Sequence, residues 1–309
     1  MNIITKAGEI IDFETVWERK DSLFDTVPEK QGRFERVDYE TSVYENDVTY
    51  KKYCNVYLPY GYDDSDKKYN VMYYQHGNSC DPELFTEEKA KASLDALFAE
   101  EDIEPCIMVF TTYYMDVEND YEERKKTGFT PAGDGSWKGI KGNFHLEVAQ
   151  DIIPAVELKY RTYLTGPSRE EIIASRDHRG FSGYSRGAAC TWYILHHQFE
   201  LFRYYAPMSC MTTAGIDIFT EAPQELVEEY LTAPLKAHPD MKFFIYGTNG
   251  HPHDVSRMTD QMKFLVHNPM FSFGQDPEKN NFYFSISDLT HTDLYAPYYF
   301  YNSLKVLFK

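Results

Sequence analysis

Residues Gly183-Tyr184-Ser185-Arg186-Gly187 constrain this chain more than any other stretch. They lie between Arg179-Gly180-Phe181-Ser182, which reads as the end of a short strand, and Ala188 through Leu195, a good helix former that is apolar on one side. Strand, G-x-S-x-G, helix is the layout of a nucleophile elbow. The turn is so tight that a Cβ at either glycine would strike the returning backbone. The Ser185 hydroxyl is then aimed out of the sheet. The amide of Arg186, at the helix N-terminus, is placed to donate to an oxyanion. A glycine-rich turn with an incidental serine fits the same five letters, so the context has to decide.

The context is a series of strands alternating with helices. Residues 35–45 and 50–58 alternate apolar and polar and read as a hairpin, broken by Pro59 through Asp64. Tyr69 through Gln75 is a nearly continuous apolar strand, as expected for one covered on both faces. It runs into His76-Gly77-Asn78-Ser79, where the backbone amide of Asn78 is assigned as a second oxyanion donor. His76 itself reads equally well as a structural histidine bonding nearby backbone. A helix is expected over 84–101, a strand over 106–110, and an amphipathic helix over 143–160 kinked at Pro154. A short polar helix or turn over 167–176 leads to the elbow strand. Further strands are expected over 202–209, 241–247 and 281–286, with helices over 221–237, 254–267 and from His291 to Phe308. This order predicts an α/β protein with a mostly parallel, doubly wound central sheet and helices on both faces. Residues 1–34, with a short helix expected from Asp12 to Arg19, read as an N-terminal extension packed on the core. Residues 35–309 then form a single catalytic domain.

Charge and composition narrow the function. A formal net charge of −18 argues against nucleic acid and anionic membrane surfaces as partners. No apolar run is long enough to span a bilayer, and the N-terminus lacks a signal-peptide core. A cytoplasmic protein is expected, or a secreted one if a signal has been removed. The five cysteines (54, 80, 106, 190 and 210) are odd in number and show no C-x-x-C spacing, which favours free thiols. The long polar segment 113–141 follows the carboxyl end of a central strand and should overhang the site. Tyr113, Tyr114 and Trp137 are its candidate substrate contacts, although aromatics pinning a loop to the core would look the same.

A serine at an elbow needs a base and an acid that holds the base, in the chain order serine, acid, histidine. His196 and His197 lie on the elbow helix, and His238 and His267 sit near helix ends. His291, just past the last strand, is the candidate base. Asp254 is the only carboxylate in residues 248–255 and is the candidate acid, with Asp260 and Asp288 as weaker alternatives. His251-Pro252-His253-Asp254 has the look of a metal-binding fragment, but no further ligand cluster accompanies it, so neither metal nor cofactor is expected.

Several segments resemble the feruloyl esterases of carbohydrate esterase family one. They are Phe144 through Tyr163 (F-H-L-E-V-A-Q-D-I-I-P-A-V-E-L-K-Y-R-T-Y), Ala174 through Tyr193 (A-S-R-D-H-R-G-F-S-G-Y-S-R-G-A-A-C-T-W-Y), N-V-Y-L-P-Y-G-Y-D at 55–63, Q-H-G at 75–77 and N-F-Y-F…T-H at 281–291. The likeness runs in register from about residue 50 to 309. It implies an α/β-hydrolase fold and a serine esterase acting on hydroxycinnamate esters of plant cell-wall sugars, with Ser185 as nucleophile and His291 as base. Three departures stand out. Arg186 replaces the usual Met after the nucleophile. The acid loop, usually G-T-x-D, reads Gly247-Thr248-Asn249-Gly250 and continues to Asp254. Cys210-Met211-Thr212-Thr213 stands where relatives can carry aromatics. Rival readings are an acetyl-sugar or other small-ester hydrolase of the same fold, or a catalytically weakened hydrolase-like carbohydrate-binding module.

Overall fold

A computed structural model describes residues 2–4, 10–12, 16–25, 27–78, 80–115, 142–212, 214, 222–250 and 255–309. Two short strands, β1 (Asn2–Ile4) and β2 (Ile10–Asp12), pair antiparallel. The main sheet is built from β3 (Arg33–Thr41), β4 (Tyr50–Leu58), β5 (Val71–Gln75), β6 (Ile107–Thr111), β7 (Arg179–Tyr184), β8 (Tyr204–Met208), β9 (Phe244–Gly250) and β10 (Phe282–Ser287). Their spatial order is β10-β9-β8-β7-β5-β6-β4-β3. The pairs β3–β4 and β4–β6 are antiparallel, and every other pair is parallel. The alternation of β5 shows why the sheet is central. Val71 and Tyr73 point into one core cluster, Met72 and Tyr74 into another. A strand whose two faces are both buried needs helices on both sides.

Those helices are α1 (Ser22–Asp25), α2 (Glu88–Phe98), α3 (Phe144–Glu147), α4 (Ile153–Glu157), α5 (Arg169–Ala174), α6 (Arg186–His197), α7 (Gln224–Ala237), α8 (Val255–His267) and α9 (Ala296–Leu304). One face is covered by Phe144 and Val156 of α3 and α4, Trp192 of α6, Leu231 of α7 and Leu265 of α8. The other carries Leu94 and Leu97 of α2 with Phe300 and Leu304 of α9. Between α3 and α4 the chain makes a π-helical stretch, Val148–Ile152, and the Ile153 amide reaches back to the Val148 carbonyl. Pro154 lacks an N–H and crowds the preceding turn, and the wider turn accommodates it while the stripe Phe144, Val148, Ile152, Val156 stays buried. Ser168 and Glu171 form a reciprocal capping box that starts α5.

The structure corrects three expectations. Residues 16–20 are not helical, and the helix nearby is α1. Their backbone groups are spent on the C-terminal part of the chain. Val16 N–H donates to the Tyr283 hydroxyl (2.6 Å), and Glu18 N–H to Asn302 Oδ1 (2.9 Å). Strand β9 runs three residues further than its apolar letters suggest. Thr248, Asn249 and Gly250 pair with Ser285, Ile286 and Ser287 of β10. The helix expected over 84–101 is shorter, ending at Phe98.

The elbow strand is anchored at its start. Arg179, fully buried, makes a two-pronged ion pair with Glu157 (Nε to Oε1 2.5 Å, Nη2 to Oε2 2.6 Å). The Tyr73 hydroxyl also donates to Glu157 (2.8 Å). A second buried pair, Lys52 with Glu147 (2.7 Å), fastens α3 to β4, and Lys52 donates on to the Thr112 carbonyl at the end of β6 (3.0 Å).

Candidate active site

Ser185 lies between β7 and α6 with φ 55° and ψ −113°. That conformation is unfavourable for a residue with a Cβ and persists only where the surroundings impose it. Here Ser185 N–H donates to the Met208 carbonyl of β8 (2.8 Å), and its own carbonyl accepts from Ala189 N–H (3.1 Å). The two glycines are required by close approach. A Cβ on Gly183 would lie 2.3 Å from the Gly187 carbonyl oxygen, and one on Gly187 would lie 1.9 Å from the Gln75 carbonyl oxygen. The elbow helix therefore rests directly on the end of β5. Arg186 is the first residue of α6, a position whose N–H has no acceptor within its own helix.

His291 reaches Ser185 from a loop after β10. Its Nε2 lies 2.9 Å from Ser185 Oγ. The hydroxyl donates in this geometry if Nε2 is unprotonated. The imidazole leans on Tyr184 (centroids 5.1 Å apart), and Tyr184 stacks on Tyr299 of α9 (5.9 Å).

The turn after β5 is held from both sides. The Gly77 carbonyl accepts from His76 Nδ1 (2.7 Å) and from the Tyr113 hydroxyl (3.1 Å). A carbonyl can only accept, so His76 carries a proton on Nδ1, and its Nε2 lies 2.8 Å from Thr112 Oγ1. The Gly77 amide donates to Asp293 Oδ2 (2.6 Å). The Gly77 carbonyl and the Asn78 N–H share one planar trans peptide and point in opposite directions. Fixing that carbonyl therefore fixes where the Asn78 N–H points. His76 is structural in this arrangement.

Tyr113 and Tyr114, expected as substrate contacts, are 0% and 4% exposed. Their rings sit 4.9 and 5.2 Å from the His76 ring, so their surfaces are spent on buttressing the turn. Trp137 lies outside the described residues, as do Asp254 and the side chain of Asp260. Asp288, the other alternative acid, is exposed and bonds Trp17 Nε1 and Arg19 Nη1 (both 3.3 Å). None of the five cysteines forms a disulfide; Cys54, Cys106 and Cys190 are buried. Among the described residues no group of three or more His, Cys, Asp or Glu is arranged to hold a metal ion, and no helix is long and apolar enough to cross a membrane.

Sequence reasoning missed Asp293. It opens a short 3-10 turn (Asp293–Tyr295) two residues past His291 and is buried. Burial pushes its carboxyl up to about 6, opposed by the Gly77 amide, the Tyr74 hydroxyl (3.3 Å) and the charge of His291. In the string H-T-D-L-Y nothing marks this aspartate as buried.

Known proteins resemble this chain over most of its length. The Esterase family model, described as "Putative esterase", matches residues 49–280. Endo-1,4-beta-xylanase Y of Acetivibrio thermocellus is 31% identical over 262 residues, 83% of this chain. The chain spans 22% of that protein's length. A feruloyl esterase module from Clostridium thermocellum, solved as a serine-to-alanine mutant complexed with sinapinate, superposes with a TM-score of 0.76 at 27% identity, covering 96% of each chain. A ferulic acid esterase of Anaeromyces mucronatus, at 20% identity and a TM-score of 0.60 over 92% of this chain and 94% of its own, shares the fold. A mostly parallel eight-stranded sheet, a strained serine between strand and helix and a family model matching well over half the chain converge: this chain belongs to the esterase family, carboxylic ester hydrolases of the α/β-hydrolase fold.

Proposed function

We propose that this esterase hydrolyses hydroxycinnamoyl esters, feruloyl esters above all, of plant cell-wall polysaccharides or oligosaccharides. The observation that carries the chemistry is the 2.9 Å contact between Ser185 Oγ and His291 Nε2 at a strained elbow. The substrate class rests on the likeness to a feruloyl esterase module complexed with sinapinate and to a xylanase. The catalytic unit begins with β3 at Arg33, just before the expected boundary at residue 35, and the described residues 16–25 pack on it as an extension.

Ser185 attacks the ester carbonyl as His291 Nε2 takes its proton. The carbonyl oxygen becomes an oxyanion held by the amides of Asn78 and Arg186. Collapse expels the sugar oxygen, which leaves with the proton from His291. Water, activated by the same imidazole, then attacks the acyl-enzyme and releases the hydroxycinnamic acid. Asp254 orients His291. Departures at Arg186 and Cys210 favour a second reading, a smaller or anionic acyl group on the same machinery.

Hydrolysis of methyl ferulate beside p-nitrophenyl acetate tests this. Ferulate turnover that disappears in Ser185→Ala is the expected result, with a loss on the order of 10⁴-fold or more. Acetate turnover alone removes the hydroxycinnamoyl specificity and keeps the esterase. Full activity in Ser185→Ala sinks the nucleophile assignment. Asp254→Asn should cost roughly 10²–10⁴-fold in kcat, and a loss under about threefold points to another acid.

A further inference from the structure

Asp293 is buried near the reacting groups, and the mechanism above gives it no task. Its contacts are the Gly77 amide at 2.6 Å and the Tyr74 hydroxyl at 3.3 Å, both to Oδ2. No lysine or arginine bonds it among the described residues. Two other buried carboxylates differ: Glu147 of α3 has Lys52, and Glu157 of α4 has Arg179. A buried carboxylate without a cation costs stability, so its retention here calls for a physical reason.

The reason lies in what it joins. Asp293 is two residues from His291 in the chain and bonds the residue before Asn78. Its bond to the Gly77 N–H fixes the peptide plane between His76 and Gly77. The His76 ring and the Tyr113 hydroxyl fix the next plane, between Gly77 and Asn78, through the Gly77 carbonyl. Two consecutive planes are thereby locked, and the Asn78 N–H is the group they aim. The fit is close: a Cβ on Gly77 would lie 2.6 Å from Asp293 Oδ1.

We propose that Asp293 is a positioning residue for ester hydrolysis, clamping the oxyanion-binding turn at Gly77 to the loop that carries His291. The inference rests on the roles given above to Ser185, His291 and Asn78, but not on the feruloyl specificity. The base and the oxyanion donor are thereby held as one unit although they come from opposite ends of the chain.

The test uses p-nitrophenyl acetate, which needs no hydroxycinnamoyl pocket, with Ser185→Ala as the zero. Phenylboronic acid is the second probe, because its tetrahedral serine adduct places an oxygen in the oxyanion site. Asp293→Leu removes the acceptor, and Asp293→Asn keeps an oxygen for the Gly77 N–H. In Asp293→Leu we expect kcat to fall ~10–100-fold with KM within about threefold, and phenylboronic acid affinity to fall in step. Asp293→Asn should recover to within about threefold of the parent. A merely structural role would lower the folded fraction without this split. The inference is overturned if Asp293→Leu keeps kcat within about threefold, if the loss sits in KM, or if Asn is no better than Leu. Should Asp293→Leu not fold, the Gly77 amide proton of the parent decides. Its NMR resonance must shift as the carboxyl titrates, and a resonance that stays flat from about pH 4.5 to 7.5 overturns the clamp. Absence of ferulate turnover with acetate turnover intact would count against the specificity alone. Activity surviving in Ser185→Ala would count against the catalytic roles.

Discussion

Glu157 of α4 and Asp293 of the turn after β10 are both buried carboxylates that bond the central strands, at opposite ends. Glu157 lies where β7 begins. It meets the Arg179 guanidinium through two short bonds and the Tyr73 hydroxyl through a third. Arg179 in turn donates to the carbonyls of Ile172 and Leu201 and to Ser175 Oγ. Glu157 and Arg179 match each other's charge, and the guanidinium donors are used. Asp293 lies where the strands end. It has one amide, one hydroxyl and a histidine nearby, and burial pushes its carboxyl up to about 6. The strained Ser185 sits at the same end. One end of the sheet is built for stability, while the other carries strain and uncompensated charge that the rest of the fold offsets.

The comparison can be broken at several points. Glu157→Gln should have the largest effect on stability, since it leaves Arg179 buried without its counter-ion. A loss of about 3–5 kcal/mol is expected in urea unfolding. Turnover per folded molecule should stay unchanged, because Glu157 lies away from the reacting groups. A loss below about 1 kcal/mol would mean that the pair is not what holds this end.

Asp293→Asn should act in the opposite direction on stability. The folded-state carboxyl is raised from 3.8 to about 6, so the native state holds the proton more tightly than the unfolded chain does. The cost of charging it is absent below the lower value, grows between the two and is complete above the higher one. Removing the charge should therefore stabilise the protein at pH 7.5 by roughly 2–3 kcal/mol, at about 1.4 kcal/mol per unit, and give little at pH 3.5. Unfolding midpoints of the two proteins measured across that range should diverge as pH rises. Parallel curves would show that Asp293 is already compensated.

The smallest effect concerns the strap before α1. Trp17 packs against Tyr299 (5.3 Å), which stacks with Tyr184 beneath His291. Trp17→Ala should cost about 1–2 kcal/mol of stability and lower kcat by only about twofold. A loss of activity larger than that of Asp293→Leu would move the anchoring of His291 from the Gly77 clamp to the strap.

Much of this was legible in the sequence, for identifiable reasons. The elbow was readable because Gly183 and Gly187 answer to steric contacts of less than a residue's width, and such contacts show in five letters. His291 was readable from position, just past the last strand. The end of β9 was not, since Thr248-Asn249-Gly250 looks like a turn and becomes strand only by pairing with Ser285 through Ser287. Tyr113 and Tyr114 read as candidate substrate contacts or, equally, as aromatics pinning a loop to the core, because they follow a strand into a polar segment. In the structure they are buried against His76. Asp12 to Arg19 has the letters of a helix, but the amides of Val16 and Glu18 find partners on Tyr283 and Asn302.

The sequence by itself determined the mostly parallel sheet, the tight elbow at Ser185 and the loop that supplies the candidate base. Those follow from periodicity and local sterics, which act over a few residues. Only the tertiary structure decided that Asp293 meets Gly77, 216 positions away, and that Glu157 meets Arg179 while no lysine or arginine among the described residues bonds Asp293. Burial and charge compensation are sums over neighbours drawn from distant parts of the chain, and no window of sequence contains them.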